Sequence, residues 1–210
     1  MNMKIFKTSI LIWLFIKTIS VFAQKTDEIY PTMSDYIQNR ADATTGIIIE
    51  KRTRGQIYMV GGNDFKIYSA NKAYSKSIKK EIWAIKSNDS LYLNCFQFKL
   101  GLWYAYAEKI NDKLYFTAAI TMDKEQRQKM AMIGTFAGPI GAGLAGGDLA
   151  LNRFYYVVNL KTDEMQYLSK AEMLNTINLY PDLVEKYKQE KEPEGIETLR
   201  YYLTEIKSRN

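Results

Sequence analysis

The chain has 210 residues, 47% of them hydrophobic, 13% aromatic and 25% charged, a balance that suits one globular domain and excludes a disordered chain. One Cys and no His remove histidine-dependent nucleophile systems, imidazole metal sites, intramolecular disulfides and thiolate zinc cages. Carboxylate, Lys, Tyr or Ser chemistry remains, or binding without chemistry, and no cofactor or metal is implied.

Met1–Ala23 reads as a secretory leader. Lys4 and Lys7 form its positive start, Ile10–Ile16 its apolar run, and Val21-Phe22-Ala23 its cleavage pattern before Gln24. Lys17 limits that run to seven residues, far short of the roughly 20 a spanning helix needs. The only thiol, Cys95, is far from the cleavage site, so a lipid anchor is not expected. The expected mature chain is 24–210, exported after Ala23 to the periplasm, the cell surface or the medium. Lys4, Lys7 and Lys17 leave with the leader and no acid does, so the formal net charge of +6 falls by three.

The remaining charge is uneven. Between Lys51 and Lys86 lie Lys51, Arg52, Arg54, Lys66, Lys72, Lys76, Lys79, Lys80 and Lys86, against only Asp64 and Glu81. Export makes nucleic acid a poor partner. The electrostatic match is an anionic envelope polymer or a lipid headgroup, set against the plain alternative of a solvated lysine face.

In chain order, Ser34 is positioned to cap a short helix through Arg40. Gly46–Glu50, Gln56–Val60 and Phe65–Ser69 read as strands, separated by Arg54-Gly55 and Gly61–Asp64. Asn71–Lys80 is a polar loop or short helix. Glu81–Lys86 and Leu91–Phe98 form a hairpin across Ser87–Ser90, with Leu91, Leu93 and Cys95 on one face. Leu102–Glu108 and Lys113–Thr121 pair across Asn111-Asp112, and Arg153–Asn159 and Glu164–Leu168 across Lys161–Asp163. Cys95 is then a buried strand residue with no His to activate it. Ser169 with Glu172 reads as a capping box, Pro181 starts another helix, and Ile196, Leu199, Leu203 and Ile206 repeat at helical spacing. The fold expected is α+β: a mostly antiparallel β meander or partly open barrel, with helices at the C-terminal end.

A Gly-rich insertion occupies 131–151. Gly141, Gly143 and Gly146 have the dinucleotide-binding spacing, but no crossover helix follows and Arg153 begins a strand. Ala131–Gly147 carries no charge, and Gly134 and Gly138 have the spacing of membrane-helix contacts. Pro139 and the glycine density argue against one straight helix. If the segment meets a membrane or a partner, Ile133, Phe136, Ile140 and Leu144 make the contact. If it packs on the protein's own sheet, the reading favoured here, those side chains join the core.

Aromatic residues are the other candidates. Trp83, Trp103, Tyr104 and Tyr106 lie on central strands, where outward rings stack sugars or clamp peptides and inward rings fill the core. No pair of acids has a recognisable catalytic spacing.

Several segments together resemble a family of uncharacterised exported Bacteroidota proteins. They are the leader end Phe22-Ala23-Gln24; Tyr30, Thr32, Asp35 and Tyr36; Trp83 with Asn88–Tyr92; Tyr156–Thr162; and Glu172–Leu174 with Tyr180–Tyr187. The resemblance implies an exported α+β domain of unknown function and brings no catalytic residues with it. The expected role is a non-enzymatic envelope binding module, for an anionic polymer, glycan or peptide. The alternatives are a carboxylate-dependent hydrolase of envelope glycan or peptide, and a peripheral membrane protein held by the Gly-rich segment. Intact-mass measurement of the protein recovered from its host should give a chain starting at Gln24; a chain retaining Met1 in the cytoplasm would contradict export.

Overall fold

A computed structural model describes residues 26–119 and 150–209. The leader lies outside them, as does nearly all of the Gly-rich insertion, including Ile133, Phe136, Ile140 and Leu144.

The strands are β1 (Asp27–Tyr30), β2 (Asp42–Thr44), β3 (Ile47–Lys51), β4 (Phe65–Ser69), β5 (Ala84–Ser87), β6 (Ser90–Asn94), β7 (Tyr104–Ile110), β8 (Lys113–Ala118), β9 (Phe154–Asn159) and β10 (Glu164–Tyr167). The helices are α1 (Met33–Ile37), α2 (Arg54–Val60), α3 (Lys72–Lys80), α4 (Lys170–Ile177), α5 (Pro181–Lys188) and α6 (Ile196–Arg209). One antiparallel sheet runs β10-β9-β8-β7-β6-β5-β1-β2 and does not close on itself. The β3–β4 hairpin joins it through a single pair, Phe65 with Tyr104. The architecture is α+β, as the strand-rich and helix-rich halves of the sequence suggest.

Tight turns set the register of the meander. Asn88 and Asp89 have φ of 46° and 61° between β5 and β6, as a two-residue hairpin loop requires, and Asn111 has φ 53° between β7 and β8. Side chains then alternate between faces. Along β8, Leu114, Phe116 and Ala118 enter one core while Tyr115 enters another. The first core spans β1 to β9 and carries a run of rings from Tyr30 through Tyr36, Trp83, Phe98, Phe116 and Tyr156 to Tyr167. Successive centroids lie 5.2–6.3 Å apart, the range of favourable aromatic pairs. On the opposite face, Met173, Ile177, Leu183, Tyr187, Leu199, Leu203 and Ile206 of α4–α6 cover Tyr115, Tyr155 and Val157. Cys95 is buried in the first core, and burial pushes its thiol pKa up.

Local structure departs from the sequence reading in four places. Gln56–Val60 is helical, because Thr53 and Gln56 form a reciprocal capping box that outweighs the β propensity of Ile57, Tyr58 and Val60. Thr32, not Ser34, caps α1, with Asp35 completing the box. Cys95–Phe98 turns away from β6, since Asn94 Oδ1 accepts from Phe96 N at 3.2 Å. Ser169 accepts from Glu172 N at 3.2 Å, but the Glu172 carboxylate reaches Lys113 Nζ at 2.6 Å, tying α4 to the sheet.

Asn94 also closes α3. Its fully buried amide donates to the carbonyls of Ile78, Lys79 and Ile82 at 3.3, 3.2 and 2.7 Å, and the Tyr104 hydroxyl donates to Ile78 O at 2.6 Å. The carbonyls of Ile78 and Lys79 are among those a helix end leaves unpaired, and that of Ile82 lies just beyond the cap. Asn94→Ala should therefore cost about 2–3 kcal/mol, the penalty for buried acceptors left without donors. Urea unfolding should show a lower midpoint at an unchanged slope.

Candidate functional site

The link between β3 and β4 folds back on itself. Arg52 leaves the strand, α2 makes two turns, and Gly61, Gly62 and Asn63 return the chain to Asp64. The Arg52 guanidinium sits inside this loop, where Nη1 donates to Gly61 O and Asn63 O at 2.7 and 2.9 Å and Nη2 to Gln56 O at 3.1 Å. No carboxylate of the described residues lies within salt-bridge distance of it. Burial, and next the neighbouring Arg153 charge, lower its pKa, yet a guanidinium stays charged at any physiological pH.

Arg153 approaches from the start of β9. Its Nε and Nη2 bond Asp64 Oδ1 at 2.9 and 2.8 Å, while Nη2 also donates to Gly62 O at 3.1 Å and Nη1 to Ala150 O at 2.7 Å. The two arginines thus hold opposite sides of the Gly61–Asp64 return. Between them opens a cleft of about 480 Å³ lined by Lys51, Arg52, Arg54, Ile57, Asp64, Leu151, Asn152 and Arg153. Four cations face one carboxylate, and that carboxylate is already paired.

Trp103 extends the basic surface. Arg52, Lys79 and Lys66 place their charges 5.7, 5.0 and 6.0 Å from its ring centroid, within the range of cation–π attraction. Its φ of 76° lies in the left-handed region, a cost of about 1–2 kcal/mol for a bulky residue. Cys95 N holds the Trp103 carbonyl at 3.1 Å, and Asn63 binds the preceding Leu102 carbonyl through both backbone N–H and side-chain amide.

Of the four aromatic candidates, Trp83 is 6% exposed within the ring chain and Tyr104 is 1% exposed beneath α3. Only Trp103 and Tyr106 reach solvent, Tyr106 at 41%. Tyr106 lines a separate groove of about 260 Å³ beside α6, together with Asp64, Glu108, Tyr155 and Arg200. Its two acids are both engaged, Asp64 with Arg153 and Glu108 with Lys207 at 3.6 Å. No group of three acids or thiols able to hold a metal occurs among the described residues. The sequence reading identified the basic run from Lys51 but missed Arg153, whose only signal is an arginine opening an otherwise apolar strand.

Gly62 is where this assembly is tightest. A Cβ there would lie 2.7 Å from Trp103 Cδ1 and 3.0 Å from Leu102 O, at φ 83°; at Gly46, with φ 79°, nothing lies within 4 Å. Gly46→Ala should cost about 1 kcal/mol from backbone strain alone. Gly62→Ala should cost more than twice that and quench or shift Trp103 fluorescence, with both variants compared by urea unfolding.

No curated protein and no solved structure matches the chain. A family model described as a family of unknown function (DUF6563) matches residues 28–210, a span that takes in the whole sheet, the basic cleft and the C-terminal helices. The chain belongs to this family of unknown function.

Proposed function

We propose that this is an exported, non-enzymatic binding module of the cell envelope, and that the cleft beside α2 holds a phosphate or carboxylate group of its ligand. One observation carries the reading: Arg52, a buried cation with no acidic partner among the described residues, shares an open cleft with Lys51, Arg54 and Arg153. Guanidinium groups suit such anions because their planar donors match two oxygens at once. Arg52 and Arg153 spend several donors on carbonyls, which fixes their charge in position. Lys51 and Arg54, both exposed, remain available to move onto a ligand. Export rests on the leader pattern, and an anionic envelope polymer supplies the required chemistry.

The test uses fluorescently labelled polyphosphate and the double variant Lys51→Ser, Arg54→Ser. Neither side chain belongs to the Thr53–Gln56 capping box, so the fold should survive. Anisotropy should show binding that weakens with salt, and the variant should bind on the order of tenfold more weakly with a shallower salt dependence. Equal binding of neutral dextran, or an unchanged affinity in the variant, would overturn the assignment.

A further inference from the structure

The tip of α2 carries two adjacent apolar side chains that the fold does not use. Met59 is 78% and Val60 73% exposed, while Ile57 of the same helix is buried. Cations belong to the same lobe. Lys51 ends β3 and Arg54 opens α2. At its end Gly62 packs against Trp103, whose ring carries Lys66 and Lys79 nearby. Trp103 is itself part-exposed.

An apolar helix tip on a lobe rich in cations, with a part-exposed tryptophan packed at the helix end, has a specific complement. Side chains such as Met and Val gain by leaving water, Trp favours the boundary between headgroups and acyl chains, and Lys and Arg are drawn to anionic headgroups. A protein groove would offer the apolar contact, and a soluble polyanion the charge. A bilayer with anionic lipid offers both on one surface.

We infer that the α2 lobe docks on a bilayer surface containing anionic lipid, with Met59 and Val60 entering between headgroups and Lys51, Arg54, Lys66 and Lys79 at the level of the phosphates. The inference rests on the anion-binding reading of the cleft and names the source of the anion.

The test is local, so the N-terminal apolar run cannot produce the signal. Met59→Cys in the full chain is labelled with a polarity-sensitive fluorophore; Cys95 is fully buried and does not compete. Leu179→Cys is the control. Leu179 is exposed and sits beside the β7–β8 turn, about 20 Å along β7 from the Trp103 end. Vesicles of equal parts phosphatidylglycerol and phosphatidylcholine should shift the Met59→Cys label to the blue and leave the Leu179→Cys label unchanged. Phosphatidylcholine alone should shift neither. Adding Lys51→Ser and Arg54→Ser should weaken vesicle affinity on the order of tenfold or more. In unlabelled protein, Met59→Ser with Val60→Ser should weaken vesicle binding about tenfold and leave polyphosphate binding intact. Polyphosphate binding without any vesicle shift at Met59→Cys would overturn the bilayer and leave the anion site standing. Loss of both in the wild-type chain would overturn both, and equal shifts of the two labels would show that a different surface meets the membrane.

Discussion

The side chain of Asn63 lies wholly buried and ties its own link to two segments distant in sequence. Its amide donates to Leu100 O and Leu102 O at 2.8 and 3.1 Å, and its carbonyl oxygen accepts from Ala119 N at 2.8 Å. Through these bonds the return of the β3–β4 link is fixed to the loop before β7 and to the residue after β8. The hairpin has only one strand pair with the main sheet, so this amide helps to set its position, together with the apolar contacts of Ile67 and Phe65 and the Asp64–Arg153 pair. Gly62 then meets Trp103, Arg52 closes its loop on Gly61 and Asn63, and Asp64 presents its carboxylate to Arg153. No apolar replacement can supply two donors and an acceptor at one buried point, and each bond left unmade would cost a desolvated polar group.

The sheet explains why such a hub is needed. Its two faces are consumed by packing, one by the run of aromatic rings and the other by α4–α6 and by the residues beneath α3. A functional surface on this fold therefore belongs to the links between strands, where loops have freedom but little intrinsic rigidity. The β3–β4 link gains rigidity from polar bonds: the Thr53–Gln56 box at its start, Arg52 within, Asn63 at its end and Arg153 from outside. Asn94 does the same for α3, which brings Lys79 over Trp103. Cations that belong to four separate stretches of chain are held together by hydrogen bonds to backbone carbonyls, added to the apolar core beneath β3, β4 and α3.

The meander was legible because its signals are local. Asn88-Asp89, Asn111-Asp112 and Asp163 tolerate positive φ, and each stands where a hairpin turns. Pro181 at the start of α5 and the apolar spacing of α6 are equally local. The helix at α2 was misread because Ile57, Tyr58 and Val60 favour strands, although Thr53 three residues before Gln56 carried the opposing signal. The basic half of the site was visible as a run of charge. Its geometry was not, since Arg153 meets Asp64 across 89 positions and Asn63 meets Ala119 across 56. Trp83 and Trp103 look equivalent as strand tryptophans in the sequence, and the ring chain around Trp83 and the positive φ of Trp103 separate the buried one from the part-exposed one.

A fold shaped by stability alone has no reason to assemble this lobe. Arg52 and Arg153 repel each other and are both largely desolvated, and Lys66 and Lys79 crowd the same indole. Trp103 adds backbone strain, and Met59 and Val60 add exposed apolar area. The Arg52–Arg153 repulsion, the backbone strain and the exposed apolar area are unfavourable in the free protein, and the carbonyl bonds, Asp64 and the cation–π contacts of Lys66 and Lys79 offset only part of it. All of them would become favourable together against one kind of surface, negatively charged and apolar just beneath. One ligand class would relieve these local costs jointly, and that shared remedy, which unrelated accidents of packing would not have, is the physical ground for proposing this lobe as the binding surface.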